Sequence, residues 1–106
     1  KTVNMVDEEG DPMEALARAT LKIGCPCISP NHRRFELLSK IIKEYKIDGV
    51  VDLTWQACHP FNIESYSLGR FIRNELGIPF MQIETDYSEN DKSWIKVRVE
   101  AFVEMI

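Results

Sequence analysis

The chain has 106 residues, a formal net charge of −4, 44% hydrophobic and 28% charged residues, the composition of one globular domain with a single modest core. The mild acidity argues against a nucleic-acid surface, which needs clustered Lys and Arg. No apolar run approaches the ~20 residues of a membrane span, no signal peptide is visible, and three cysteines cannot make a complete disulfide framework. A cytoplasmic, reducing setting is expected.

Residues 1–11 are polar, contain the acidic knot Asp7-Glu8-Glu9-Gly10-Asp11, and read as a lead-in to a domain over 12–106. A start at Lys1 within a polar stretch suggests a piece of a longer polypeptide. Asp11-Pro12 is N-cap and first-turn chemistry, and Met13, Leu16, Ala17 and Thr20 follow at helical spacing. Leu21 to Ile28, with Cys25-Pro26-Cys27 inside it, reads as a strand that Pro26 keeps short or at an edge. Ser29-Pro30-Asn31 then opens an amphipathic helix with Phe35, Leu38, Ile41, Ile42 and Tyr45 on one stripe. Lys46-Ile47-Asp48-Gly49 ends it and feeds a buried strand, Gly49 to Trp55.

The segment Trp55-Gln56-Ala57-Cys58-His59-Pro60-Phe61 joins that strand to a helix expected from about Ile63 to Leu76, closed by Gly77 as a left-handed cap. Phe80-Met81-Gln82-Ile83-Glu84 is a third strand ending at Thr85-Asp86-Tyr87. After the polar loop Ser88 to Lys92, Ile95, Val99, Phe102, Val103 and Ile106 stripe a last helix. Alternating strand and helix periods imply right-handed crossovers and a parallel three-stranded sheet. The fold expected is therefore α/β, three-layered and Rossmann- or flavodoxin-like. So small a sheet has exposed edges, which again suggests missing sequence or a partner subunit.

Cys58 is the leading site candidate, because ligands of parallel sheets gather at the carboxyl ends of strands. Glu84 and Asp86 belong to the same sheet end, either as site carboxylates or as solvated and capping groups. Cys25 and Cys27, with Cys58 and His59, could form a zinc-type set. Against this, Cys-x-Cys is not the usual knuckle, and free cysteines are commonly small buried residues. His32 reads as a first-turn helix residue. Gly-rich phosphate loops and G-x-S-x-G elbows are absent from the sequence. Trp55 and Phe61 flank Cys58 and read as packing that would also keep water from a bound cofactor.

Several stretches together resemble the 2-hydroxyacyl-CoA dehydratase family, whose relatives include the ATP-dependent benzoyl-CoA reductases. They are Arg33-Arg34-Phe35-Glu36, Tyr45-Lys46-Ile47-Asp48-Gly49-Val50-Val51, Ala57-Cys58-His59-Pro60-Phe61-Asn62-Ile63-Glu64, Gly77-Ile78-Pro79, Ile83-Glu84-Thr85-Asp86-Tyr87, and Arg98-Val99-Glu100-Ala101-Phe102-Val103-Glu104-Met105. The resemblance implies a carboxyl-terminal domain of a larger subunit. It implies a four-iron four-sulfur cluster held by three cysteines from more than one domain, with Cys58 as the one ligand in this chain. Cys25 and Cys27 match no remaining ligand. The activity implied is a lyase reaction, the radical, syn-type loss of water from an (R)-2-hydroxyacyl-CoA to give an enoyl-CoA, typical of anaerobic fermentation. The partners implied are a second homologous subunit and an ATP-hydrolysing iron–sulfur activator, with no nucleic acid and no membrane. A chain holding one ligand is expected to be inactive alone. Ser93-Trp94 and Val97-Arg98 stand where the family often shows Gly-Gln and Thr-Arg, which keeps a benzoyl-CoA-reductase-type subunit as the alternative. A third reading is a cofactor-free α/β scaffold with Cys58 inert.

Overall fold

The computed structural model describes residues 5–86 and 88–106, and the chain divides into two compact units, Lys1–Leu38 and Ser39–Ile106.

In the first unit, α1 (Pro12–Leu21) begins as the sequence dictates. The Asp11 carboxylate accepts from the backbone N–H of Met13 at 2.8 Å and Glu14 at 3.0 Å, with Pro12 in the first turn. Its buried face is Ala15 and Ala19, each 7% exposed, whereas Met13 and Leu16 of the expected stripe are 74% and 52% exposed. Here apolar spacing marked a helix without marking the face it buries.

The strand expected over Leu21–Ile28 is not formed. Lys22 and Ile23 close the end of α1 through N–H bonds to Ala19 O and Thr20 O, and Ile28 N–H then donates to Cys25 O at 3.0 Å. That bond makes Cys25–Ile28 a turn with Pro26 at its second position, where a fixed φ is favoured and a missing N–H is harmless. Gly24 lies against the next helix: a Cβ there would sit 2.9 Å from Arg34 Cβ, so only glycine permits this approach.

Helix α2 (His32–Tyr45) runs across the boundary of the units. Within the second unit it buries Ile42 and ends at Lys46, whose φ of 50° is left-handed. Ile47 N–H then bonds back to Ile42 O at 3.0 Å, the Schellman closure. Strand β1 (Val50–Trp55) follows, then α3 (His59–Phe71), which continues into a π-helical turn, Ile72–Leu76. Gly77 closes that turn at φ 68°, the left-handed conformation that glycine adopts without strain. Strand β2 (Phe80–Thr85) and α4 (Lys92–Val103) complete the unit.

β1 and β2 pair in parallel, from Val50 opposite Phe80 to Trp55 opposite Thr85. Among the described residues the sheet has these two strands, so the expected three-stranded core is corrected to a β-α-β unit followed by a helix. The reason is local: the segment meant to be the first strand carries Pro26 and folds on itself as a turn. The fold is thus a mixed helix-and-strand structure with a small parallel sheet. Ile72, Ile83, Leu68 and Phe102, with Ile42 of α2, form the apolar core of the second unit, each under 8% exposed. At roughly 2 kcal/mol per buried aliphatic side chain, they are the main apolar contribution holding α3 and α4 to the sheet.

Candidate functional site

The carboxyl ends of β1 and β2 carry the groups that the sequence singles out. After Trp55 the chain turns through Gln56, Ala57 and Cys58 into α3. Ala57 has φ 62°, a left-handed conformation that costs a non-glycine residue about 1–2 kcal/mol. Local bonds compensate: Cys58 N–H donates to Trp55 O at 3.0 Å, His59 N–H to Ala57 O at 3.1 Å, and Asn62 N–H to Cys58 O at 3.0 Å. Cys58 is thereby the N-cap of α3, with Pro60 in its first turn. The helix begins four residues earlier than Ile63, because proline belongs at a helix start as readily as in a loop.

The Cys58 thiol is free, half-buried and makes no capping hydrogen bond. It stands at a helix start, where backbone N–H groups lack intrahelical partners and the helix dipole favours negative charge. His59 is exposed beside it.

The loop is held from behind by polar side chains that sequence reasoning did not single out. Asn62 Nδ2 donates to Trp55 O at 3.1 Å and lies 3.5 Å from Glu84 Oε1. Gln82 Nε2 donates to Asn62 Oδ1 at 3.0 Å and to Thr54 Oγ1 at 3.1 Å. Thr54, 1% exposed, in turn donates to Ile83 O at 3.4 Å. This network ties β1, α3 and β2 together directly behind Cys58. Neutral amides and a hydroxyl carry no motif; the available signal was Gln82 in an otherwise apolar strand run, where a polar group must find a partner.

Glu84 and Asp86 line a separate cleft of about 340 Å³ with Gln56, Thr85 and Asp91. Gln56 N–H donates to Thr85 O at 2.7 Å, and Thr85 Oγ1 to Asp91 Oδ2 at 3.1 Å. Bonds from the Ser88 side chain and backbone N–H, the latter 2.6 Å from Oδ1, hold the Asp86 carboxyl below its ordinary range. Cys58 does not line this cleft; Asn62, touching Trp55 O and Glu84, is the link between the two. Tyr87 lies outside the described residues.

Cys25 and Cys27 are not two buried strand residues. Both lie in the turn of the first unit, the former half-buried and the latter exposed. His32 is exposed in the first turn of α2. Among the described residues, no group of three or more His, Cys, Asp or Glu is arranged to hold a metal. Trp55 and Phe61 are 41% and 38% exposed. No helix among the described residues is long and apolar enough to cross a membrane.

A family model described as 2-hydroxyglutaryl-CoA dehydratase, D-component, matches residues 1–106. The chain belongs to this family. Among its relatives, the chain is 47% identical over 105 residues to a protein of Escherichia coli (strain K12) named as dehydratase subunit YjiM, covering 99% of this chain and 27% of that protein. It is 29% identical over 102 residues to a benzoyl-CoA reductase subunit of Thauera aromatica, covering 93% of this chain and 23% of that one. It is 27% identical over 105 residues to the (R)-phenyllactyl-CoA dehydratase beta subunit of Clostridium sporogenes, with 96% and 27% covered. The chain therefore spans about a quarter of the length of these family members.

Proposed function

We propose that this chain is the part of a 2-hydroxyacyl-CoA dehydratase subunit that supplies one thiolate, from Cys58, to an iron–sulfur cluster. The observation that carries the reading is the free, uncapped thiol of Cys58 at the junction of β1 and α3, fixed by backbone bonds to Trp55 and Asn62. Family membership supports it, and the 47% identity to a dehydratase subunit favours dehydration over benzoyl-CoA-type reduction. Thiolate is the ordinary protein ligand of cluster iron. One cysteine cannot hold a cluster, and among the described residues no group of three or more His, Cys, Asp or Glu is arranged to hold a metal, so in this reading the remaining ligands come from elsewhere in the assembly. In the proposed whole protein, the two parallel strands belong to the larger parallel sheet of a three-layer, Rossmann- or flavodoxin-like α/β domain, and a second homologous subunit and an ATP-hydrolysing activator are the partners.

Such a cluster, when bound, supplies single-electron chemistry to the acyl-CoA thioester. The residues of this chain do the positioning. Asn62 and Cys58 N–H both bond to Trp55 O and keep the loop in one conformation. Gln82 and Thr54 fix Asn62, so that the sulfur position follows from the register of the sheet. The half-exposed Trp55 and Phe61 are available to be covered in the assembly, which would lower the local polarity around the ligand.

The test is Cys58→Ser in a subunit carrying this chain, with iron and sulfide measured after anaerobic reconstitution. An alcohol is a far poorer ligand than a thiolate at nearly equal volume, so iron content and dehydratase turnover should fall while the circular dichroism spectrum is kept. Cys25→Ser and Cys27→Ser should keep wild-type iron. Full iron in Cys58→Ser, or iron lost in Cys25→Ser with the fold intact, would reject the assignment.

A further inference from the structure

The outer edge of β2 brings two arginines to one groove. Val50 N–H donates to Pro79 O at 2.9 Å and Gln56 N–H to Thr85 O at 2.7 Å, so the odd-numbered carbonyls of this stretch face β1. The two-residue period of a strand turns those of Phe80 and Gln82 outward. Arg73 Nη1 donates to Phe80 O at 3.3 Å, and Arg98 Nη2 donates to Gln82 O at 3.0 Å. Each guanidinium uses one of its five donors in this way. Their other contacts are aromatic: Arg73 lies 5.5 Å from the Phe80 ring centroid and Arg98 4.7 Å from that of Trp94. Among the described residues neither is paired with a carboxylate.

Both arginines line a groove of about 850 Å³ whose walls include Phe80, Met81 and Phe102, within the size range of small-molecule pockets. Ser65 lines it too. Ser65 is 2% exposed, and its Oγ has no hydrogen-bond partner; a buried hydroxyl left unpaired is unfavourable unless a ligand completes it. Two unneutralised cations, an unsatisfied donor and an apolar wall within one groove are complementary to an anion with an apolar body.

We propose that this groove binds an organic carboxylate carrying an apolar chain. Successive outward carbonyls on a strand stand roughly 7 Å apart, so the two guanidinium groups held on them flank one carboxylate, each donating to one oxygen. Ser65 Oγ supplies a further hydrogen bond, and the chain lies against Phe80, Met81 and Phe102. The site is made within the second unit, does not use Cys58, and stands or falls independently of the cluster reading.

Titration calorimetry with decanoate, on the full chain, tests it. Saturable one-to-one binding is expected, with decanol (no charge) and acetate (no apolar body) each at least about tenfold weaker. Arg73→Gln and Arg98→Gln should each weaken decanoate about tenfold, the loss of one charge-assisted bond, and Arg98→Lys should weaken it less. Circular dichroism identifies any variant that fails to fold; if Arg98→Gln does, the exposed Arg73→Gln decides. Absence of saturable binding, decanol binding as tightly as decanoate, or unchanged affinity in folded Arg73→Gln would overturn the proposal.

Discussion

Asn62 is the residue on which the presentation of Cys58 depends, and two substitutions measure how. Asn62→Ala removes the 3.1 Å bond to Trp55 O and the 3.0 Å bond from Gln82. Trp55 O keeps the Cys58 N–H at 3.0 Å, and Gln82 keeps Thr54 Oγ1 at 3.1 Å, so no partner is left unsatisfied. At about 1 kcal/mol net per neutral hydrogen bond, the loss should be about 2 kcal/mol at pH 7. Asn62→Asp keeps the bond from Gln82 but places an acceptor against Trp55 O and the Glu84 carboxylate, now 3.5 Å from Nδ2. One lost bond of about 1 kcal/mol adds to a like-charge term of about 1 kcal/mol at that distance in a water-like dielectric. The introduced carboxylate is disfavoured when ionised, so its folded pKa is raised above the ordinary value near 3.9. The folded state then holds its proton more readily, the variant loses stability as pH rises, and about 1 kcal/mol should return between pH 7 and pH 4. Urea denaturation followed by far-UV circular dichroism, with wild type at each pH as reference, reads both effects. A deficit in Asn62→Asp that does not change with pH, or an Asn62→Ala variant as stable as wild type, would refute the reasoning.

Two further outcomes follow from single side chains. Ile83 is 1% exposed in the middle of β2, so Ile83→Ala should destabilise by about 3–4 kcal/mol through lost burial and a residual cavity, seen as a lower urea midpoint at unchanged slope. Asp86 is held below its ordinary pKa first by the Ser88 side chain and then by the Ser88 backbone. Its ionised form therefore favours the folded loop at neutral pH, an effect lost as pH falls through the folded value. Ser88→Ala should move the Asp86 titration midpoint, followed by carboxyl NMR, upward toward the ordinary value.

Local chemistry, written within a few residues, was legible before the fold was known. Asp11-Pro12 as a helix start, Gly77 as a left-handed stop, the strands at Val50 and Phe80 and their parallel order all follow from caps and periodicity, and all are present. The placement of Cys58 at a strand end was legible for the same reason, since an apolar run followed by a helix pattern leaves its loop at the carboxyl edge. Context decided the rest. Leu21–Ile28 has strand composition, but a strand needs a hydrogen-bonded neighbour, and with Pro26 at a turn position the segment bonds to itself instead. Met13 and Leu16 fit a helical stripe, yet the buried side is Ala15 and Ala19, because periodicity sets spacing while packing chooses the face. The Asn62, Gln82 and Thr54 network joins residues as far as 28 positions apart, and the bonds that place Arg73 and Arg98 on one strand edge span 7 and 16 positions. Contacts between neutral polar groups distant in the chain leave no periodic trace in a sequence; they exist only once the parallel register of β1 and β2 has brought their elements side by side.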